Sequence, residues 1–443
     1  MSYAILGILA AVGVVLSLVY PLYYLMLFDF VLVFQQKSWS VGGIRLNVTD
    51  LAYIFIFLGI LLRGRVKKGS KPLLIPYLPL WITLVVILSL AYLLAPQNQK
   101  YFTDPIRILY QLYRYAFKPI LIYPITFLLI NHRDKFQHVL VALIVSADLC
   151  SISAIKQGYS GIRAGGPFGG GNALGGVLVV PFIFAILGFI FPRSKRHFYL
   201  CAFSVPFILR AMLFAGSRGA YAATLVGLTF AAFFLIQLPE GQAKLIKWAP
   251  YLVAGLLIFL ALVPYLSTRP TIQRFTTLSD PAEASTFQWR LQLRWPHFWA
   301  IAKANPWIGT GTDVDFSLGI HGNTPHNGYL SLSVKYGFPA AACFLIFAFL
   351  AVLNGLRATQ RSTNSEERIH GITIAAAIMA ILVHNTVEST LMTPFVSKLF
   401  WMLTAVVAMT ARRMEGFGSR DAPRRRVRVR QAPPLIEDPR TAT

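Results

Sequence analysis

The residues best suited to chemistry in this sequence lie between Thr324 and Gly337, TPHNGYLSLSVKYG, where polar side chains re-enter a very apolar chain. His326 is at its centre. Thr324 is the expected N-cap, Pro325 suits the first helical position, and the apolar run from Tyr329 to Leu353 continues as a helix. His326 is therefore expected in a first turn, where the positive end of the helix macrodipole disfavours imidazolium. A ring kept neutral can accept a proton, as a general base must. The plainer alternative is that His326 and Asn327 only satisfy the orphan amides of a helix start beside a membrane surface.

Arginine supplies the second set. Arg163, Arg218, Arg269, Arg274, Arg290 and Arg294 all map to the outward side of the topology derived below, the side that should be poor in arginine. A planar guanidinium suits phosphate oxygens, and an arginine at membrane depth is a functional candidate by default. The obvious anion is a lipid diphosphate. Arg218 lies in AGSRGAY, between two apolar segments and hence near headgroup level; the plainer reading is snorkelling to lipid phosphate. Arg290 and Arg294, four apart in WRLQLRW, would share a helix face, as a site or as a surface patch. The glycine-rich stretch Gly165 to Gly171 follows Arg163 and could bring backbone amides to an anion or serve as a flexible turn.

Other chemistries find little support. The sequence has no GK[ST] ending for a nucleotide loop, no HExxH, DxD or Cys/His ligand spacing for a metal, and no GxSxG elbow. His321 and His326 are five apart, a spacing that favours no ligand geometry. Neither a cofactor nor a metal is expected. Asp148, inside an apolar segment, and Glu388, at the end of another with His384 one turn earlier, read as buried hydrogen-bonding partners rather than catalytic groups. Cys150, Cys201 and Cys343 fall in apolar segments and read as packing residues.

The elements that must position these groups are membrane helices. Of 443 residues, 56% are hydrophobic and 13% charged, and the mean hydropathy is +0.59. Apolar segments of roughly 17 to 25 residues recur along the chain, each long enough for a hydrocarbon core of about 30 Å. Residues 3–34 read as one span plus an interfacial helix, or as a hairpin. Further spans are expected near 49–62, 73–95, 113–130, 136–155, 172–191, 198–214, 219–236, 247–266, 328–353, 370–388 and 395–411. The expected fold is an all-α polytopic bundle of about 12 spans, one domain over 1–411. The N-terminus lacks a basic n-region, so no removed signal peptide is expected.

The net charge is +24, and its distribution sets the orientation. Basic residues cluster in alternate loops, at 63–71, 133–135, 193–196, 244–247 and 357–368, and in RRRVRVR at 424–430. By the positive-inside rule these face the cytoplasm, as do both termini, and 412–443 is a basic tail expected to be disordered and near lipid headgroups rather than nucleic acid. Residues 35–48, 96–112, 156–171, 267–327 and 389–394 are then outside. The fourth, with Trp289, Trp295, Trp299 and Trp307, is expected to form an ordered cap containing amphipathic interfacial helices.

GSRGAY at 216–221, R-LQLRW from Arg290, NPWIGTG at 305–311 and HNGYLSLSVKYG at 326–337, in that order, resemble the bacterial O-antigen ligase and polysaccharide polymerase family over roughly residues 160–390. RAGGPFGGGN, ending at Asn172, resembles the family's arginine, glycine and asparagine loop. Two positions depart: Ala340, where Gly, Thr or Tyr is usual, and Lys335, where relatives often carry Glu. The resemblance implies a glycosyltransferase of the bacterial inner membrane with a periplasmic active site, moving a glycan from undecaprenyl diphosphate to an acceptor hydroxyl. The ligase acceptor is lipid A core oligosaccharide, in lipopolysaccharide biosynthesis, and the polymerase acceptor is another lipid-linked repeat. By matching position, Arg218 and Arg290 would hold the diphosphate and His326 would deprotonate the acceptor. Arg163, Arg294, Asn172 and Asn327 would contact substrate. Direct attack would invert the anomeric centre. A transporter of an anionic lipid or small anion is the alternative from another class, and no clear internal repeat supports it.

Overall fold

The computed structural model describes residues 38–41, 44–47, 76–95, 108–109, 112–113, 117–118, 120–129, 133–266, 285–311, 324–362, 364–389, 391 and 394–420. The expected spans at 3–34 and 49–62, Arg269, Arg274, His321 and the basic tail beyond residue 420 lie outside them. The described chain is helical apart from a hairpin of β1 (Ser38–Val41) and β2 (Ile44–Asn47), antiparallel with Val41 opposite Ile44. Those eight residues leave the all-α expectation standing for the bundle. The alternating SWSV and IRLN segments flank Gly42-Gly43, a sequence suited to a two-residue hairpin turn.

The helices are α1 (Leu78–Leu94), α2 (Ile122–Leu129), α3 (Arg133–Tyr159), α4 (Gly171–Ile190), α5 (Lys195–Ala215), α6 (Arg218–Leu235) and α7 (Pro239–Leu266). Then come α8 (Ser285–Trp289), which runs through the π-helical turn Arg290–Arg294 into α9 (Trp295–Ala304), and α10 (Gly328–Arg361), α11 (Ser365–Val387) and α12 (Pro394–Arg420). Six of them, α3, α4, α5, α6, α10 and α11, are long and apolar enough to cross a membrane, and each coincides with an expected span. The chain is thus a multi-pass membrane protein. The last helix runs nine residues past the expected boundary at 411, because the helix-forming Arg412, Arg413, Met414 and Glu415 extend it.

One helix is the axle of the bundle. Four-fifths of the most apolar window of α4 is buried, so it is enclosed by protein rather than facing lipid on one side. It packs against α3, α5, α6 and α11, while α11 also packs against α6, α10 and α12. Helices in lipid gain little from hydrophobic burial against one another, so close contact needs small residues. Gly355 of α10 and Gly371 of α11 provide it: a Cβ at either would come within 3.0 Å of the other's carbonyl oxygen.

Two backbone devices bring the chemical residues to one end of this bundle. Gly216, at φ 56, ends α5 with its N–H on the Met212 and Leu213 carbonyls, and Ser217 at once caps α6 by accepting from the Ala220 N–H. Two residues thus reverse the chain. The second device is a break in α10. Gly337 adopts φ 83 and ψ 169, and Pro339 has no N–H for the Lys335 carbonyl. The loop after α9 fills the gap: Thr310 N–H donates to Val334 O at 2.8 Å, Gly311 N–H to Lys335 O at 3.2 Å, and Phe338 N–H to Pro306 O at 2.8 Å. NPWIGTG and VKYGFP are therefore one clasp that fixes α9 to the start of α10.

The opposite end of the bundle carries basic side chains, with the Arg193 guanidinium against His370 and Lys195, Arg196, Arg361 and Arg368 nearby in sequence.

Candidate functional site

The structure centres on Glu388, which the sequence reading took for a buried hydrogen-bonding partner rather than a catalytic group. Glu388 follows α11, in extended conformation, with its N–H on the His384 carbonyl. His326 Nδ1 lies 2.5 Å from Glu388 Oε1. On the other oxygen, Oε2, Asn172 Nδ2 donates at 2.7 Å and an Arg290 NH2 stands at 3.5 Å. Arg290 also donates through NH1 to the Val387 carbonyl at 2.5 Å. One guanidinium therefore caps the C-terminus of α11 and neutralises the carboxylate that the negative end of its dipole would repel.

Burial works to raise the Glu388 pKa and is outweighed by the hydrogen bond from His326 and by the charges of His326, Arg290 and His384, so the carboxyl is held below its usual value. It is ionised at neutral pH. A carboxylate can only accept, so the neutral imidazole carries its proton on Nδ1 and leaves the Nε2 lone pair free. The side chain of His326 is 28% exposed, against 14% for Glu388, so the ring keeps a face toward the outside.

His326 does not sit in a first helical turn. The helix starts at Gly328, with Asn327 as N-cap accepting from Leu330 N–H at 3.0 Å, which corrects the expected cap at Thr324. Asn is the stronger cap, and the carbonyls of Thr324 and Pro325 are already taken by Arg294 NH1 at 3.0 Å and Trp295 Nε1 at 2.9 Å. His326 adopts φ 50, a left-handed conformation costing about 1 kcal/mol or more for a side-chain-bearing residue. The chain around it compels that turn. A Cβ at Gly328 would lie 1.9 Å from the Asn385 side chain, Tyr329 OH donates to Leu382 O at 2.8 Å, and Ser331 Oγ meets Ser389 Oγ at 2.9 Å. The start of α10 is thus pressed onto the end of α11.

GSRGAY resolves in the same way. Gly216 and Ser217 make the turn, Tyr221 OH donates to Met212 O at 2.9 Å, and a Cβ at Gly219 would meet Val387 at 2.6 Å and the His384 ring at 3.5 Å. Arg218 stands in the same turn. It opens α6, where the helix dipole already presents positive charge, and it is close enough to Arg290 that each disfavours the other's charge; burial is the larger cause of Arg290's lowered pKa. Two guanidiniums and the N-terminus of α6 thus concentrate positive charge beside the C-terminal end of α11.

The remaining candidates hold this arrangement. Arg163 donates through Nε to Ala215 O at 2.8 Å and through NH2 to Asn172 Oδ1 at 2.6 Å, so Asn172 links Arg163 to Glu388. Gly171 lacks the Cβ that would fall 2.6 Å from Arg163 Nε. The amides of Gly165 and Gly166 donate to Gln157 Oε1 at 3.0 and 2.9 Å, which favours the turn over the anion loop of the two readings. Arg294 is buried, stacks 3.8 Å over Trp289 and holds Thr324. Pro296 lacks an N–H for the preceding turn, and the ladder widens to the π-helical turn that brings Arg290 and Arg294 to the same side. Asp148 accepts from Ser204 Oγ at 2.7 Å within the span, as expected, and the three cysteines are buried and free.

Residues 203–345 match the family model described as O-antigen ligase. The match takes in GSRGAY, Arg290, Arg294, NPWIGTG and His326 through Gly337, whereas Arg163, Asn172 and Glu388 lie outside it. No curated protein matches the chain. Similarity to the O-antigen ligase family thus covers residues 203–345 of a multi-pass membrane protein, taking in Arg218, Arg290, Arg294 and His326 but not Glu388.

Proposed function

We propose that the protein transfers a glycan from undecaprenyl diphosphate to a hydroxyl of lipid A core oligosaccharide, at the periplasmic face of the inner membrane. The observation that carries this reading is the His326–Glu388 contact with Arg290 on the second carboxylate oxygen and Arg218 beside it. The acceptor hydroxyl gives its proton to His326 Nε2, and its oxygen forms a bond to the anomeric carbon. The bond from that carbon to the diphosphate oxygen breaks, and its electron pair leaves with the diphosphate. Inversion follows from this single displacement, because among the described residues no carboxylate pair stands ready for a covalent intermediate.

Arg218 and Arg290 take up the charge that grows on the leaving diphosphate. Preorganised charge of this kind is the largest expected catalytic contribution, with one lost donor costing about 100 to 1000-fold. The activated donor then requires neither nucleotide nor metal. Glu388 fixes the histidine tautomer and steadies the imidazolium formed in the reaction. Arg163 and Asn172 position Glu388, and Arg294 and Asn327 position His326. The orientation is supported by the cluster lying at the end of the bundle opposite Arg193 and His370, since basic loops stay cytoplasmic.

The test is glycan transfer by purified protein in EDTA, comparing wild type with His326→Ala. Transfer to lipid A core that collapses in a folded His326→Ala variant is the expected result. Elongation of lipid-linked repeats without transfer to lipid A core would overturn the ligase reading in favour of a polymerase using the same donor. Absence of both reactions in folded wild-type protein would overturn glycan transfer itself.

A further inference from the structure

A cavity of about 760 Å³ lies between α3 and α5, near the same end of the bundle as His326 but outside the cluster just described. Its wall is hydrocarbon from Ile152, Phe203 and Phe207, with Lys156, Tyr159 and Arg210 at one end. Ile152, Tyr159 and Phe203 are more than half exposed, so the cavity is an open groove on the side of the bundle. Arg210 donates to the Tyr159 hydroxyl and lies 5.0 Å above that ring and 5.7 Å from Phe214. Its guanidinium is thereby held in place rather than free to sweep the surface. Among the described residues, no carboxylate pairs with Lys156 or Arg210, and none lines the groove.

Depth identifies the ligand. Arg210 is five residues from the end of α5 and Lys156 three from the end of α3, about 7 and 5 Å below the helix ends at 1.5 Å per residue. With those helix ends at the bilayer surface, both cations fall at the level of lipid phosphates, and the apolar wall continues below them. We propose that this groove binds one anionic glycerophospholipid of the bilayer, its phosphate between Lys156 and Arg210 and an acyl chain along Ile152, Phe203 and Phe207. Two fixed cations of like sign beside a hydrocarbon slot complement such a molecule in charge and in shape. The groove also backs the chemical cluster: Phe214 takes the Ala164 N–H on its carbonyl, and the next carbonyl, Ala215, holds Arg163.

Native mass spectrometry of the full chain, titrated with phosphatidylglycerol or with phosphatidylcholine of the same acyl chains, tests this directly. Each basic residue at headgroup level is worth about fivefold in affinity for an anionic lipid, so one phosphatidylglycerol should be retained with about 25-fold preference. Lys156→Gln, at an exposed position, should lower that preference about fivefold, and the double variant Lys156→Gln/Arg210→Gln should abolish it. Arg290→Ala, in the separate cluster, should leave it unchanged. No preference in wild type, an unchanged preference in Lys156→Gln, loss of preference in Arg290→Ala, or displacement by millimolar inorganic phosphate would each overturn the proposal. Glycan transfer is not read in any arm, so the outcome is independent of the proposed catalytic function.

Discussion

Replacing Glu388 by glutamine should disable the proposed base while leaving every contact nearly the same size. In the native site both carboxylate oxygens accept: Oε1 from His326 Nδ1 at 2.5 Å, and Oε2 from Asn172 Nδ2 at 2.7 Å with Arg290 at 3.5 Å. A glutamine has one acceptor oxygen and one donor nitrogen. If its oxygen stays with Asn172 and Arg290, its NH2 faces His326 Nδ1, which must then accept, and the ring proton moves to Nε2. The lone pair that should take the acceptor proton is gone. If the amide turns over, its NH2 confronts two donors and loses both bonds. Either orientation fails, so the loss should approach the full contribution of general-base catalysis, about 100 to 10,000-fold in kcat. KM for the lipid diphosphate should not rise, because removing a negative charge leaves the field of Arg218 and Arg290 more positive. The assay is initial-rate glycan transfer by purified protein, with circular dichroism and gel filtration to verify the fold. The double variant Glu388→Gln/His326→Ala should be no slower than His326→Ala, since both changes remove one unit of function. A folded Glu388→Gln enzyme within threefold of wild-type kcat, or a double variant at the product of the two single losses, would refute the relay.

Arg218→Ala and Arg290→Ala should each cost about 100 to 1000-fold in kcat, with Arg218→Lys keeping part of the rate because a lysine keeps the charge but not the fork. Comparable activity in all three variants would remove the diphosphate role. Gly337→Ala should destabilise the fold more than an exposed glycine change does, because a Cβ at φ 83 would lie 2.3 Å from the Trp307 carbonyl oxygen; thermal unfolding reads this, and an unchanged midpoint would contradict the clasp. The depressed Glu388 pKa makes a pH prediction. The stability contributed by its ionised form is fully present above the unfolded value of about 4.5 and is lost as pH falls through the lower folded value. The stability difference between wild type and Glu388→Gln should therefore stay constant from pH 6 to 8 and shrink below pH 4.5. A difference that changes between pH 6 and 8 would mean that some other group governs it.

Much of the architecture is written in runs of apolar residues, because a helix must span a fixed hydrocarbon thickness and satisfy its own backbone. All six of the long apolar helices begin and end within eight residues of the expected spans. Local backbone chemistry was less legible. The start of α10 moved from Thr324 to Asn327 because Arg294 and Trp295, some 30 residues earlier, claim the carbonyls that precede it. No local pattern contains that information. The arginines drew notice because they fall on the side expected to be poor in arginine, and His326, Arg218 and Arg290 were candidates by residue type and by resemblance before any fold was known. Glu388 was visible only as one of 17 acids, at a helix end 62 residues from His326. Its rarity in so basic a chain was the available signal, and reading it only as a buried hydrogen-bonding partner left His326 unnamed as what it bonds.

The same physics explains why a carboxylate belongs in a site proposed to bind a diphosphate, although it opposes anion binding. Arg290 and Arg294 both have lowered pKa values, with burial the main cause and neighbouring guanidinium charge adding to it, while Glu388 acts in the opposite direction on both. Without Glu388, Arg290 and Arg294 would lose the counter-charge that offsets repulsion from their neighbouring guanidiniums. Glu388 therefore has two tasks that one atom could not perform. Oε2 keeps the arginines together before a substrate arrives, and Oε1 keeps the histidine in its proton-accepting tautomer. When a diphosphate enters, Arg290 can turn part of its fork from Oε2 to phosphate, since Asn172 still holds that oxygen at 2.7 Å and Val387 still holds the other edge of the guanidinium. Asn172 thus becomes testable through the donor. Asn172→Ala should raise KM for the lipid diphosphate, because Arg290 would be held more tightly by an unshared Oε2, and it should lower kcat less than Glu388→Gln does. A kcat loss equal to that of Glu388→Gln with KM unchanged would place Asn172 in the histidine relay instead.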